Sequence, residues 1–230
     1  MNTLTPETKH PSRFRPPLAA ACLRGKGLEI GALHGPLPLP PYAHAVYVDR
    51  LPMQELRKHY PDLQNSPFYV DIVDDGETLL TFADSSQSFV IANHFLEHCE
   101  DPITTLQAFA RVLQSGGMLY MAVPDKRFTF DHARPVTSLQ HIIDDHAFGA
   151  ERSREAHYDE WTKYVCQITD EHVCKKKSME LMKMSYSIHF HVWTEREFLE
   201  FLDYACSIVP LEKLWTLQDG NEILCILQKQ

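Results

Sequence analysis

Histidine is frequent in this sequence, with 13 among 230 residues, and most of these residues lie in the second half of the chain. The imidazole side chain titrates near neutral pH, so it can take a proton from a hydroxyl or an amine during a reaction. His189 and His191 are separated by one residue, which places both side chains on one side of an extended segment. Together with Asp131 and His141 they are our candidate catalytic residues. The alternative for each histidine is an ordinary hydrogen-bonded side chain.

Charged residues at the start of the same region are suited to binding an anionic part of a substrate, because arginine pairs strongly with carboxylates and phosphates. These candidate substrate-binding residues are Asp125, Arg127, His132 and Arg134. A divalent metal is an alternative, held by His189 and His191 with Asp125 or Asp131, because imidazole and carboxylate groups bind several metals. Our prediction itself includes no metal ligand.

A glycine turn near the start of the chain has the pattern of a nucleotide-binding segment. Residues 28–36 read Leu-Glu-Ile-Gly-Ala-Leu-His-Gly-Pro, an apolar strand with an acidic residue followed by a turn. Gly31 can adopt a backbone conformation that other residues avoid, and its missing Cβ lets a ligand approach. Asp49 follows 18 residues later, at the end of a second apolar stretch. An acidic residue at about this spacing is expected to bind the hydroxyls of a ribose.

Strands and helices alternate around these residues. Apolar stretches predict five strands, which end near Ile30, Val48, Val73, Asn93 and Val123. A helix is predicted from Asp101-Pro102, where a capping acceptor precedes a proline, to Gly116-Gly117. This alternation predicts a parallel sheet with right-handed crossovers.

Three segments depart from the alternation. Residues 36–41 are rich in proline and predict an extended loop instead of a long helix. Residues 125–192 predict a helical lid inserted after the fifth strand. Two apolar stretches joined by Asp219-Gly220-Asn221 predict a closing antiparallel hairpin. We therefore predict one α/β domain over residues 1–230, with a loose N-terminal arm over residues 1–22.

These motifs together resemble those of class I S-adenosylmethionine-dependent methyltransferases. Glu29-x-Gly31-x-x-x-Gly35 is similar to motif I of that family, although Leu33 stands where a middle glycine is typical. The resemblance implies a Rossmann-like, seven-stranded, mostly parallel sheet, with S-adenosyl-L-methionine as cofactor and S-adenosyl-L-homocysteine as product. The residues that it assigns to cofactor binding are Glu29, Gly31, Ala32, Leu33, Gly35, Asp49, Arg50, Asp71, Ile72, Asn93 and His94.

Within this set, the resemblance implies that Asp49 holds the ribose hydroxyls and that Asp71-Ile72 contacts the adenine. Residues 93–98 are similar to the segment that follows the fourth strand in many small-molecule members. Residues 113–123 resemble the helix–strand junction of the family. Ser88 departs from the pattern, because an acidic residue is common at that position.

Three other functions are compatible with parts of the sequence. His94-x-x-Glu97-His98 matches the inverted zinc-protease motif, but it begins at the end of a predicted strand and no third ligand is evident. A nicotinamide-dependent oxidoreductase is disfavoured by Leu33, which interrupts the Gly-x-Gly-x-x-Gly pattern, and by the closing hairpin. A non-catalytic, methyltransferase-like binding or scaffold protein is compatible with the imperfect glycine motif.

Composition excludes several classes of partner. The net charge of −9 argues against a nucleic-acid groove. The sequence has neither a run of 18 apolar residues, which a membrane span would need, nor an apparent secretory signal. Its six cysteines are isolated, as in reduced cytoplasmic proteins. The oligomeric state stays open.

The resulting prediction is an enzyme that transfers a methyl group from S-adenosylmethionine to an oxygen or nitrogen atom. Alignment of the attacking atom with the methyl group is the main requirement of this reaction, and a histidine base assists a hydroxyl nucleophile. The polar lid favours a small polar acceptor, such as a sugar or a metabolite.

Overall fold

Seven strands form one mixed sheet in the computed structural model, which describes residues 12–63 and 65–230. They are β1 (Gly25–Ile30), β2 (Ala43–Asp49), β3 (Ile72–Val73), β4 (Gln87–Asn93), β5 (Leu113–Pro124), β6 (Leu211–Asp219) and β7 (Glu222–Lys229). Their order is β3-β2-β1-β4-β5-β7-β6. The first five strands pair in parallel, whereas β7 lies antiparallel between β5 and β6. The predicted seven-stranded fold with its closing hairpin is confirmed.

Seven helices accompany the sheet within the described residues. They are α1 (Arg15–Cys22), α2 (Met53–His59), α3 (Pro102–Val112), α4 (Leu139–Phe148), α5 (Arg154–Tyr164), α6 (Glu171–Lys183) and α7 (Glu195–Ile208). The larger core lies between one face of the sheet and helices α3 and α7, which contribute apolar residues such as Phe109 and Phe198. A smaller core on the other face includes Ala19 of α1 and Phe89 of β4.

The ends of several elements follow from local chemistry. Asp101 caps α3 as predicted, because its side chain accepts the Thr104 N–H at 2.9 Å. The helix ends at Val112, earlier than Gly116, since Leu113 already pairs with Gln87 as part of the sheet. Helix α7 begins after Thr194, whose hydroxyl donates to the Glu197 carboxylate and makes no cap to a backbone N–H.

The N-terminal arm is more ordered than expected over its described part. Residues 1–11 lie outside the described residues, but residues 15–22 form α1, and Arg15 pairs with Glu222 at the start of β7. The proline-rich segment between β1 and β2 contains no helix, as predicted. No helix among the described residues is long and apolar enough to cross a membrane.

The predicted lid begins where β5 ends and contains α4, α5 and α6. It has a small apolar core of its own, which includes Trp161 of α5 and Phe190 of the segment before α7. That segment returns to the sheet, where the Lys126 N–H donates to the Trp193 carbonyl at 2.9 Å. The lid is therefore packed on itself and joined to the end of β5.

Candidate functional site

A cleft lies at the carboxyl ends of β1, β2 and β4, the edge at which open α/β sheets bind ligands. Its walls come from the turns after these strands, the residues after β3 and the end of the lid. The lining residues are Ile30, Gly31, Leu33, Asp49, Arg50, Tyr60, Asp75, Gly76, Glu77, His94, Phe95, His98 and Ser187. The predicted cofactor residues found among them are Gly31, Leu33, Asp49, Arg50 and His94.

The turn after β1 keeps its shape although the middle glycine is missing. Gly31 has a φ of 65° and Leu33 a φ of 48°, so both residues adopt the left-handed conformation. This conformation costs a non-glycine residue on the order of 1–2 kcal/mol. Backbone hydrogen bonds support it: Leu33 O accepts the Tyr69 N–H and Ala32 O accepts the Gly35 N–H, both at 2.9 Å. Leu33 therefore occupies the glycine position with a glycine-like backbone.

Asp49 provides a buried carboxylate at the end of β2. The residue is 7% exposed, and one of its carboxylate oxygens accepts the Leu51 N–H at 3.3 Å. Burial raises the pKa of Asp49 above its ordinary value, because the charged form loses contact with water. A carboxylate has room for several donors, so this geometry fits a pair of ribose hydroxyls. The glycine turn and this acceptor together match the requirements of an adenosine-containing cofactor.

Other predicted cofactor residues lie outside the cleft and support its backbone. Glu29 accepts the Leu37 N–H at 2.8 Å and so holds the loop after the glycine turn. Its burial raises its pKa to about 7. Asp71 accepts the Tyr47 N–H at 2.9 Å and donates its own N–H to the Tyr47 carbonyl. The remaining members of the predicted set that do not line the cleft are Ala32, Gly35, Ile72 and Asn93.

Residues 75–77 line the cleft, whereas Asp71 and Ile72, which were predicted to contact the adenine, do not. The strand is shorter than predicted, and the chain turns into the cleft after Val73. A Cβ on Gly76 would lie 2.6 Å from side-chain atoms of both Ile30 and Phe95, so only glycine fits. The Asp75-Gly76 pair, separated from the end of β3 by one residue, was the sequence signal for this turn.

The end of β4 carries an ion-pair group that the sequence did not predict. His94 Nε2 lies 2.9 Å from a Glu222 carboxylate oxygen, and His94 Nδ1 lies 3.5 Å from Glu97. Burial alone would lower the pKa of His94, but hydrogen bonds to Glu222 and Glu97 raise it to about 9. Glu222 also pairs with Arg15. A cationic imidazole therefore lines the cleft at neutral pH.

The same geometry rules out the zinc-protease pattern. Leu96–His98 is a single 3-10 turn instead of a long helix. His94 contacts Glu222, whereas the His98 Nδ1–H donates to the Ile188 carbonyl at 2.8 Å. The two histidines of the motif therefore do not share one helical face.

His189 and Asp131 form a buried pair inside the lid. His189 Nδ1 lies 2.7 Å from an Asp131 oxygen, and Asp131 also accepts from Arg134 at 2.9 Å. Arg134 in turn donates to Glu160 at 2.8 Å. Burial raises the pKa of Asp131, but the hydrogen bond and charge of His189 and the charge of Arg134 outweigh it and hold the pKa below its ordinary value. The ionised carboxylate fixes the His189 Nδ1–H and leaves Nε2 as the acceptor.

This pair adjoins the cleft through His98. The His98 and His189 rings are 4.7 Å apart between centroids, and ligand atoms of His98, His189 and Glu97 lie within 4.8 Å of one another. Burial and the neighbouring His189 lower the pKa of His98 to about 4, so its ring is neutral. The Glu97 carboxylate is fully buried, with His94 Nδ1 3.5 Å away. His98 and Glu97 were not among the predicted catalytic residues.

Most of the predicted substrate-binding residues serve the lid's own structure. Asp125 is fully buried, accepts the Arg127 N–H and pairs with the Arg127 guanidinium at 2.6 Å. Arg134 is 2% exposed and paired twice, so its guanidinium cannot reach a substrate. His132 is exposed and its ring contacts the Thr129 carbonyl. These assignments were wrong for Asp125 and Arg134, because burial commits both charges to internal pairs.

The expected pairing of His189 with His191 was also wrong. His191 belongs to a different group, with His141, Asp145 and His157, and its Nε2 contacts the Glu100 carbonyl at 3.1 Å. None of that group lines the cleft. His191 and His141 therefore lie outside the lining of the cleft. The segment before α7 is irregular, so the period of two that holds for a regular strand does not apply.

Comparisons with known proteins agree with this geometry. Residues 24–121 match the family described as "Methyltransferase domain". A putative methyltransferase from Bacillus halodurans C-125 has a similar fold, with 13% identity, a TM-score of 0.51, and coverage of 93% of this chain and 96% of that chain. The putative methyltransferase solved with the Trm112 methyltransferase activator of Haloferax volcanii has 15% identity and a TM-score of 0.51, with coverage of 92% of this chain and 86% of that chain. Comparison with curated protein sequences gives no match.

The two solved structures support the fold, and the family match covers β1 to most of β5, the strands that build the cleft. S-adenosylmethionine is the cofactor of this family. Residues 24–121 thus resemble the methyltransferase domain family, and the chain has the Rossmann-like fold of the two solved methyltransferase structures.

Proposed function

We propose that the chain methylates an oxygen or nitrogen atom of a small polar acceptor, with residues 125–192 acting as the lid over the reaction site. The observation that carries this proposal is the position of the His189–Asp131 pair, which adjoins the cofactor cleft through His98. When bound, S-adenosylmethionine supplies a methyl group that is already activated for transfer. The protein therefore has to hold the cofactor, align the acceptor and accept its proton.

In this proposal, cofactor binding rests on the glycine turn and on Asp49. Gly31 lets the backbone approach the ligand, and the Asp49 carboxylate accepts hydrogen bonds from the ribose hydroxyls. Residues 75–77 and Phe95 line the same cleft and are placed to contact the adenine side.

Proton transfer is assigned to His189. Asp131 holds the Nδ1–H, so the lone pair on Nε2 is available to a hydroxyl or an ammonium group. Asp131 acts as a positioning residue, because it orients the ring and stabilises the imidazolium that forms. Arg134, which is itself held by Glu160, keeps Asp131 ionised and fixed.

A polar wall beside this pair is formed by His94, His98 and the buried Glu97. His94 and His98 line the cleft, and His94 Nδ1 lies 3.5 Å from the Glu97 carboxylate. Burial raises the pKa of Glu97, but its contact with the cationic His94 keeps the pKa below the ordinary value. These polar groups favour acceptors that carry hydrogen-bonding groups over flat apolar rings.

The proposal is tested with an acceptor panel of sugars, amino acids, amines and phenols. Release of S-adenosylhomocysteine is measured for the wild-type protein and for His189→Gln, with His172→Gln as a matched control because His172 is exposed on α6. Turnover should occur with a hydroxyl- or amine-bearing compound, be lost in His189→Gln and persist in His172→Gln. Equal turnover in all three proteins would contradict the role of His189.

A further inference from the structure

The lid contains a second group of histidines that the methyl-transfer site does not use. It consists of His141, Asp145, His157 and His191, whose ligand atoms all lie within 4.8 Å of one another. Asp145, His157 and His191 are buried, and His141 is half-buried. Three elements contribute, namely α4, α5 and the segment before α7. Residues up to 50 positions apart in sequence thus direct nitrogen and oxygen atoms at one point.

The distances within this group match those of metal ligands. His141 Nε2 lies 3.0 Å from His157 Nε2 and 3.1 Å from an Asp145 oxygen, and the His157–Asp145 separation is 3.9 Å. Four ligands bound tetrahedrally at about 2.0–2.1 Å lie about 3.3 Å from one another. The three separations among His141, Asp145 and His157 therefore bracket the spacing of a tetrahedral zinc site, and a ligand atom of His191 lies within 4.8 Å of the other three.

His191 gives the second, independent observation. Its Nε2 contacts the Glu100 carbonyl at 3.1 Å, and because a carbonyl only accepts, Nε2 carries the proton. Its Nδ1 is therefore a lone pair. That atom is fully buried and has no hydrogen-bond partner among the described residues. A histidine that donates one N–H to a backbone carbonyl and keeps a buried lone pair on the other ring nitrogen has the usual arrangement of a metal ligand.

A proton bound by these histidines does not account for all the contacts that a metal ion would make. A single proton shared between His141 and His157 would satisfy that contact but would leave the His191 Nδ1 without a donor. Arg134, a cation close to these rings, is already paired with Asp131 and Glu160. Its charge is therefore balanced.

We propose that His141, Asp145, His157 and His191 bind one divalent transition metal, with zinc as the ion that best fits three imidazoles and a carboxylate in a buried tetrahedral site. All four positions are filled by protein, so the site is structural. It joins α4 and α5 to the segment that carries His189, two residues before His191. The Phe190 N–H donates to the Glu97 carbonyl at 2.7 Å, which links this segment to the cleft wall.

The test is metal analysis of the full chain, purified without an affinity tag after growth with added zinc. About one equivalent of zinc per chain is expected, with a fall in melting temperature after chelation that added zinc reverses. Much less than one equivalent, together with a melting temperature that zinc does not change, would overturn the proposal. This measurement needs only the wild-type protein and is independent of methyltransferase activity.

Variants then assign the ligands. His157→Ala and His191→Ala should lose the metal, whereas His146→Ala should keep it, because His146 lies on α4 but pairs with Asp101 outside the group. Cobalt substitution distinguishes this site from binding at the six cysteines: tetrahedral cobalt absorption without a thiolate charge-transfer band is expected. Full metal content in a His157→Ala/His191→Ala double variant, or a thiolate band in the wild-type protein, would contradict the assignment.

Discussion

Replacement of Asp49 by alanine is expected to weaken the binding of S-adenosylmethionine. The carboxylate is 7% exposed and lies in the cleft at the end of β2. If it accepts two ribose hydroxyls, each charge-assisted hydrogen bond contributes about 1.5–3 kcal/mol. The loss of both, about 3 kcal/mol at the lower limit, weakens S-adenosylmethionine binding about 100-fold. Calorimetric titration of wild type and Asp49→Ala measures this ratio directly.

The variant Asp49→Asn tests the effect of the same carboxylate on the stability of the ligand-free protein. Burial raises the pKa of Asp49, so the ionised carboxylate destabilises the free protein at neutral pH. Asp49→Asn keeps the shape and removes the charge, so its melting temperature without ligand should be equal to or above that of the wild type. Asp84→Ala is the matched control, because that side chain is 76% exposed. Cofactor affinity of Asp49→Ala within a factor of about three of the wild-type value would refute the ribose assignment.

Three further predictions concern the same site. His189→Gln should lower kcat by about 10²–10⁴-fold with little change in S-adenosylmethionine affinity, because a general base contributes about that much; a large change in cofactor affinity alone would contradict it. Gly76→Ala should lower both the melting temperature and cofactor affinity, because the added Cβ would lie 2.6 Å from side-chain atoms of Ile30 and Phe95; Gly35→Ala, with no described atom within 4 Å, is the control and should change neither. His94→Gln should be less stable than the wild type below about pH 6.5, and this difference in stability should disappear as the pH rises above about 9. The reason is that the raised pKa of His94 makes its contribution to stability complete below about pH 6.5 and lost above about 9. A difference in melting temperature that stays constant across this pH range would contradict the prediction.

The sequence was sufficient to predict the sheet and the first half of the cleft. Apolar stretches separated by turn residues determine a parallel sheet almost without long-range information. Gly31 and Asp49 follow strands directly, so the ends of those strands place them at one edge of the sheet. Leu33 lowered the similarity to motif I, yet the backbone there is left-handed as it would be for glycine.

The remaining parts of the site depend on contacts between residues that are distant in sequence. His94 pairs with Glu222, which is 128 positions away in the sequence, and no local sequence pattern indicates this contact. Asp71 does not line the cleft, and its side chain accepts the N–H of Tyr47, which is 24 positions away. His189 and His191 were expected to work together from their spacing, whereas the irregular segment directs them into two separate groups. His141 and Asp145 share a helix face four residues apart, but His157 joins them only through packing of the lid.

The central claim is that the cleft at the ends of β1, β2 and β4 binds S-adenosylmethionine. Its most direct test is calorimetric titration of the folded, ligand-free protein with S-adenosylmethionine and S-adenosylhomocysteine, with NADH as the comparison. Saturable binding of both sulfur compounds at about one site per chain, and no binding of NADH, is predicted. Binding of NADH alone, or of none of the three, would contradict the account.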